Sequence, residues 1–132
     1  MSKEDIIVTV EHQLSVDDLN NIAITAIEGG SNYWALVEAV DRNEGEIEFF
    51  AEEVVHGKGL WVYDTELVED EDDLTEENKL GLFDYEALVR GIQLLNERGW
   101  QEVMERIVDE QYDADDTDTV MQLGVLGDVV YG

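Results

Sequence analysis

Hydrophobic positions along this chain change period several times, and each change predicts an element. From Ile6 to Leu14 (IIVTVEHQL) they alternate, with Val8, Val10, His12 and Leu14 on one side and Ile7, Thr9 and Glu11 on the other, which is the period of a strand with His12 half-buried in it. Ser15 followed by Asp18 has the spacing of an N-cap and a first-turn acid. Val16, Leu19, Ile22, Ala23, Ala26 and Ile27 then form a helical stripe that Gly29-Gly30 should end. Tyr33 to Val40 is apolar enough to extend as a second strand, Asp41 to Gly45 is a turn-rich break, and Glu46 to Val55 is expected to pair as a third strand. After a tight turn at Gly57-Lys58-Gly59, Leu60 to Leu67 alternates again and predicts a fourth strand.

The second half has helical periods. Asp84 is placed to cap a helix from Tyr85 to Arg98, with Leu88, Val89, Ile92 and Leu95 as its stripe and Gly99 as its stop. Trp100 to Glu110 carries Val103, Met104, Ile107 and Val108, a short helix packed on its predecessor. Thr117 or Asp118 should cap a last helix bearing Val120, Met121, Leu123 and Val125. Between the halves, Glu69 to Glu77 (EDEDDLTEE) has seven acids in nine residues and reads as a solvated loop without secondary structure. The predicted fold is therefore one α+β domain over residues 1–132, an about four-stranded, mostly antiparallel sheet covered by about four helices, with an acidic loop at 69–77.

Charge adds what periodicity cannot. The 132 residues include 34 Asp or Glu and 7 Lys or Arg, a formal charge of -27, while 44% hydrophobic residues leave an ordinary share for a core. Lys3, Arg42, Lys58, Lys79, Arg90, Arg98 and Arg106 are scattered singly among carboxylates, which disfavours direct contact with nucleic acid or an anionic membrane. No apolar run is long enough to span a bilayer and no segment has a signal-peptide core, so a soluble, intracellular protein is expected. The absence of Cys removes disulfides, thiol nucleophiles and thiolate metal sites. On a sphere of radius about 18 Å such a charge carries a self-energy on the order of 80 kcal/mol in pure water. Screening reduces this to roughly 25 kcal/mol at physiological ionic strength and roughly 12 kcal/mol at 1 M salt. Two uses fit that composition. The coat keeps a protein hydrated and monomeric in a salt-rich cytoplasm, or it imitates nucleic-acid phosphates and docks on a basic protein.

Candidate chemistry is sparse. Gly57-Lys58-Gly59 lacks the spacing of a phosphate loop, and His12 and His56 belong to no zinc or general-base pattern. Asp113-x-Asp115-x-Thr117 opens like a calcium loop, but Asp118 stands where the loop needs Gly and Gly124 where it needs Glu. No catalytic residue, metal or cofactor is expected. Trp61, Trp100 and one of the neighbouring rings Tyr33 and Trp34 are expected in or near the core, strand alternation sending Tyr33 and Trp34 to opposite sheet faces. If the protein binds a basic partner, Glu66, Glu69, Asp70, Glu71, Asp72 and Asp73 form the expected contact group, with Trp61 as an apolar anchor.

The segments EGGSNYWA (Glu28 to Ala35), DYEALVRGIQLL (Asp84 to Leu95) and MQLGVLGDVVYG (Met121 to Gly132) resemble a family of small phage and prophage proteins without assigned function. The order of the motifs is the same, and the acid-rich middle and the extreme charge depart from the pattern. The resemblance implies a noncatalytic viral or prophage accessory protein of the host cytoplasm, acting by protein binding, with inhibition of nucleic-acid-handling or defence machinery as the expected mode and a salt-loving host suggested by the charge. The competing expectation is a virion structural or assembly component whose acidity reflects its host alone.

Overall fold

The computed structural model describes residues 6–7, 13–40 and 50–131. Two short strands open the chain, β1 (Ile6–Ile7) and β2 (Gln13–Leu14), followed by helix α1 (Val16–Thr25) and a π-helical turn over Ala26–Gly30. Strand β3 (Ala35–Ala39), the one-turn helix α2 (Glu53–His56), strand β4 (Leu60–Asp64) and strand β5 (Lys79–Phe83) come next. Three helices close the fold: α3 (Tyr85–Glu97), α4 (Gln101–Val108) and α5 (Ala114–Leu126). Strands β3, β4 and β5 form an antiparallel sheet in that order, and β1 pairs with β2 alone.

Local chemistry places the helix ends. Ser15 accepts from the Asp18 N–H and Asp18 accepts from the Ser15 N–H, closing a reciprocal capping box on α1. Asp84 caps α3 by accepting from the Ala87 N–H. Asp113 and Asp116 repeat the reciprocal box on α5. At the other end of α5, two arginines of the α3 segment meet its carbonyls, where the helix dipole favours cations. Arg90 donates twice to Gly124 O and Arg98 donates to Gly127 O.

The core lies between the helices and one face of the sheet. Leu60, Val62 and Phe83 point into it and meet Leu88, Ile92, Leu95, Met121 and Leu123, all fully buried. Helices α3 and α5 approach backbone to backbone at their crossing. A Cβ on Gly91 would overlap the Val120 carbonyl oxygen and one on Gly124 would overlap that of Ala87, so neither position has space for a side chain. Gly30 has the same role where the π-helical turn meets α5: a Cβ there would overlap Ala114 O and sit 2.9 Å from the Thr117 hydroxyl.

The architecture is α+β, but several expected elements change. Ile6 to Leu14 is not one strand, because Ile6 pairs antiparallel with Leu14 and Ile7 with Gln13. Alternation tells which residues share a face and is silent on where the chain reverses. Val8, Val10 and His12 lie outside the described residues. The strand expected over Glu46 to Val55 is helical in its described part, with a 3-10 turn at Phe50–Glu52 leading into α2. Val54 and Val55 are both fully buried, which consecutive residues of a half-buried strand cannot be. The principal sheet has three strands, one of them (β5) unforeseen, and the described residues include five α-helices. Residues Glu69 to Glu77 hold two 3-10 turns, Glu71–Asp73 and Glu76–Asn78. Helix α5 starts one turn before Thr117 and Asp118, which are buried inside it. Trp100 precedes α4 and is 36% exposed, farther from the core than expected.

Candidate functional site

The expected contact group is partly assembled. The Asp73 carboxylate accepts from the Glu69 N–H at 2.8 Å and the Asp70 N–H at 3.3 Å, and Asp70 accepts from the Asp72 N–H at 2.9 Å. These are side-chain-capped turns, the geometry aspartate favours in loops. They fix the loop backbone and leave Glu69, Asp70 and Asp72 facing solvent. Glu71 opens the first 3-10 turn of this loop. Glu66 is exposed in the preceding turn, where its N–H donates to Asp64. Trp61 stands apart on β4, between the inward-facing Leu60 and Val62 and opposite Glu38 and Leu82 on the outer sheet face. The Lys79 ammonium covers its ring at 4.0 Å from the centroid and bonds Glu76 at 2.5 Å. Trp61 is thus joined to the second 3-10 turn, through one of the few cations in the chain.

A second assembly forms where Glu28 to Ala35 meets α5. Tyr33 and Trp34 sit in the turn before β3 rather than in the strand, so alternation does not separate them, and both rings reach the same carboxylate. Asp118, 6% exposed, accepts four hydrogen bonds. Ser31 Oγ donates to Oδ1 at 2.8 Å and Trp34 Nε1 at 2.7 Å; Tyr33 OH donates to Oδ2 at 2.7 Å and Gln122 Nε2 at 3.0 Å. Each oxygen takes two donors, the full capacity of an ionised carboxylate. Gln122, one helical turn on, holds the chain end: its Nε2 donates to Tyr131 O, and its Oε1 accepts from the N–H groups of Val130 and Tyr131. Tyr131 stacks on Trp34 with ring centroids 4.7 Å apart and 9° between planes, and its hydroxyl donates to Asp64 at 2.8 Å.

Between Tyr33 and Tyr131 this network leaves an open groove of about 510 Å³. Asp118 and Gln122 are its buried side, and Asp115, Thr119 and Val129 complete the lining. Partial burial of the phenol, then the Asp118 bond and the nearby Asp115 charge, push Tyr33 up to about 12. Partial burial and the bond to Asp64 push Tyr131 up to about 12 as well. Both phenols hold their protons at neutral pH. In the first turn of α5, Asp116 makes a bidentate pair with Arg106 of α4, both bonds 2.7 Å. Burial opposes ionisation of Asp116, but Arg106 and the Asp113 N–H outweigh it and hold the carboxyl below its usual value.

Sequence reasoning singled out the EGGSNYW turn and the closing segment but not the two side chains that join them. The available signal was Asp118 and Gln122, two polar residues four apart on a helix whose neighbours Val120, Met121 and Leu123 are core. Asp113, Asp115 and Thr117 prove to be the cap and first turn of α5. Among the described residues no group of three or more His, Asp or Glu side chains is placed to hold a metal ion, and no helix is long and apolar enough to cross a membrane. Comparison of the chain with protein-family models, with curated proteins and with solved structures finds no match to any of them.

Proposed function

We propose that this chain is a noncatalytic binding protein, a viral or prophage accessory factor of the host cytoplasm, that docks on a basic protein surface by presenting carboxylates where that surface ordinarily meets phosphates. The observation that carries the reading is the charge of -27, with carboxylates set outward on side-chain-capped turns around a normal apolar core. A surface of this kind repels nucleic acid and accelerates encounter with cationic partners. The loop residues Glu66, Glu69, Asp70, Glu71, Asp72 and Asp73 form the contact group, with Trp61 as the anchor at its edge. The same coat suits a salt-rich host, since repulsion that is costly in dilute buffer is screened there.

The test uses the full chain as bait in host lysate at low salt. The expected result is retention of a basic, nucleic-acid-handling protein that is released by moderate salt or by competing duplex DNA, and weaker retention by the E66Q/E69Q/D70N/D72N variant. Retention of no such protein overturns the reading. The second reading is a virion or assembly component whose acidity reflects only a salt-rich host, an origin of the charge with which the presence of only three lysines agrees. Stoichiometric recovery of the chain in purified particles would select it.

A further inference from the structure

The groove beside Tyr33 has a chemistry of its own. Its hydroxyl protons are already committed inward: Tyr33 donates to Asp118, Thr119 to the Asp115 carbonyl and Tyr131 to Asp64. The Gln122 amide is likewise engaged, its Nε2 with Asp118 and Tyr131 O, its Oε1 with two N–H groups. What the lining side chains still offer is lone pairs, rings and negative charge. Such a cleft rejects phosphate and other anions, which need donors, and accepts a donor-rich cation. None of the lining residues is a cation. Lys79, Arg90, Arg98 and Arg106 are each engaged elsewhere, with Glu76, Gly124 O, Gly127 O and Asp116.

We propose that this groove is an arginine-recognition site, in which a guanidinium from a basic partner lies against the half-exposed Tyr33 ring and pairs with the exposed Asp115 carboxylate. Tyr33 is 53% exposed, large for an aromatic ring beside a buried network. Asp118 cannot pair directly, because both its oxygens are saturated, so it contributes its charge from behind the Tyr33 phenol. Val129, 38% exposed, offers apolar surface to the arginine stem. A planar guanidinium, with five donors and a face that stacks, suits this acceptor-lined aromatic cleft better than a compact ammonium does. At about 510 Å³ the groove is large enough for the side chain and part of the peptide that carries it. The assignment rests on the reading that the natural partner is a basic protein, and it adds a specific contact to what is otherwise diffuse attraction.

Titration of the isotope-labelled full chain with N-acetyl-arginine-N-methylamide, followed by amide chemical shifts, tests it, with the blocked lysine and the neutral, nearly isosteric blocked citrulline in parallel. The expected result is saturable movement confined to Tyr33, Asp115, Thr119, Gln122 and Tyr131, weaker for lysine and absent for citrulline. Asp115→Asn and Tyr33→Leu should each weaken it about threefold or more. Equal, non-saturating shifts over the whole acidic surface for both cations, or insensitivity to Asp115→Asn in a spectrum that shows an intact fold, overturns it. If the groove fails while the loop still retains a basic protein, only the arginine site is lost. If the groove passes and no basic protein is retained, the site stands and the proposed partner class falls.

Discussion

At the scale of single residues, Asp118 shows how a protein with a large surplus of carboxylates can still depend on one of them. Removing any exposed acid relieves repulsion, so Asp72→Asn should leave stability unchanged or raise it slightly. Asp118→Asn has the opposite sign. The amide keeps one acceptor for Ser31 and Trp34 but turns a donor toward the Gln122 amide, leaving buried donors unpaired. Urea unfolding should show a loss of about 2 to 4 kcal/mol, far more than the gain from removing one charge among many. The phenols give a second residue-level expectation. Tyr33 and Tyr131 are pushed from 10.0 up to about 12 in the fold, so from pH 10 to 12 the native state retains protons that the unfolded chain releases. Stability should therefore be flat with respect to these groups below pH 10 and fall steadily above it, and chemical denaturation at stepped alkaline pH reads the slope. Double replacement by Phe should reduce that slope and leave the part due to Tyr112, whose phenol burial also pushes up.

At the scale of elements, what could be read from the chain was what is local in it. The Ser15 and Asp84 caps and the stripe Leu88, Ile92, Leu95 involve neighbours within a turn or two, and they stand as expected. Strand β5 is short, carries Gly81 at its centre and follows on Glu76-Glu77-Asn78, so nothing in Lys79 to Phe83 marks it before β4 supplies its partner. The Phe50–His56 segment has enough Val and Phe to pass for a strand until the burial of Ala51, Val54 and Val55 is known. The Asp118 network was illegible for a different reason. Its donors Ser31, Tyr33 and Trp34 stand 84 to 87 positions away, and no period in either segment indicates that they meet. The glycines at the α3–α5 crossing yield a sharp expectation at this scale. Gly124→Ala gains about 1 kcal/mol of helix propensity, yet its methyl meets the Ala87 backbone, which cannot move aside as a flexible side chain would. Overpacking should prevail, with a net loss of about 2 kcal/mol in denaturant titration.

At the scale of the whole molecule, the field of the carboxylates sets the conditions under which these contacts hold. Much of the self-repulsion is screened at molar salt, and the folded state, being more compact than the unfolded chain, gains most from that. The melting temperature should rise on the order of 10 °C between dilute buffer and 1 M potassium chloride, and a flat response would mean that the charge is better dispersed than its total suggests. The same compact state contains its own optical gauge. Trp34, sandwiched against Tyr131 and tethered through its indole N–H, is a dry chromophore, whereas Trp61 and Trp100 are partly wet. Peeling the closing segment away would admit solvent to that single ring. Its emission should then drift to longer wavelength in a Trp61→Phe/Trp100→Phe background at denaturant concentrations where the far-ultraviolet helix signal is still intact.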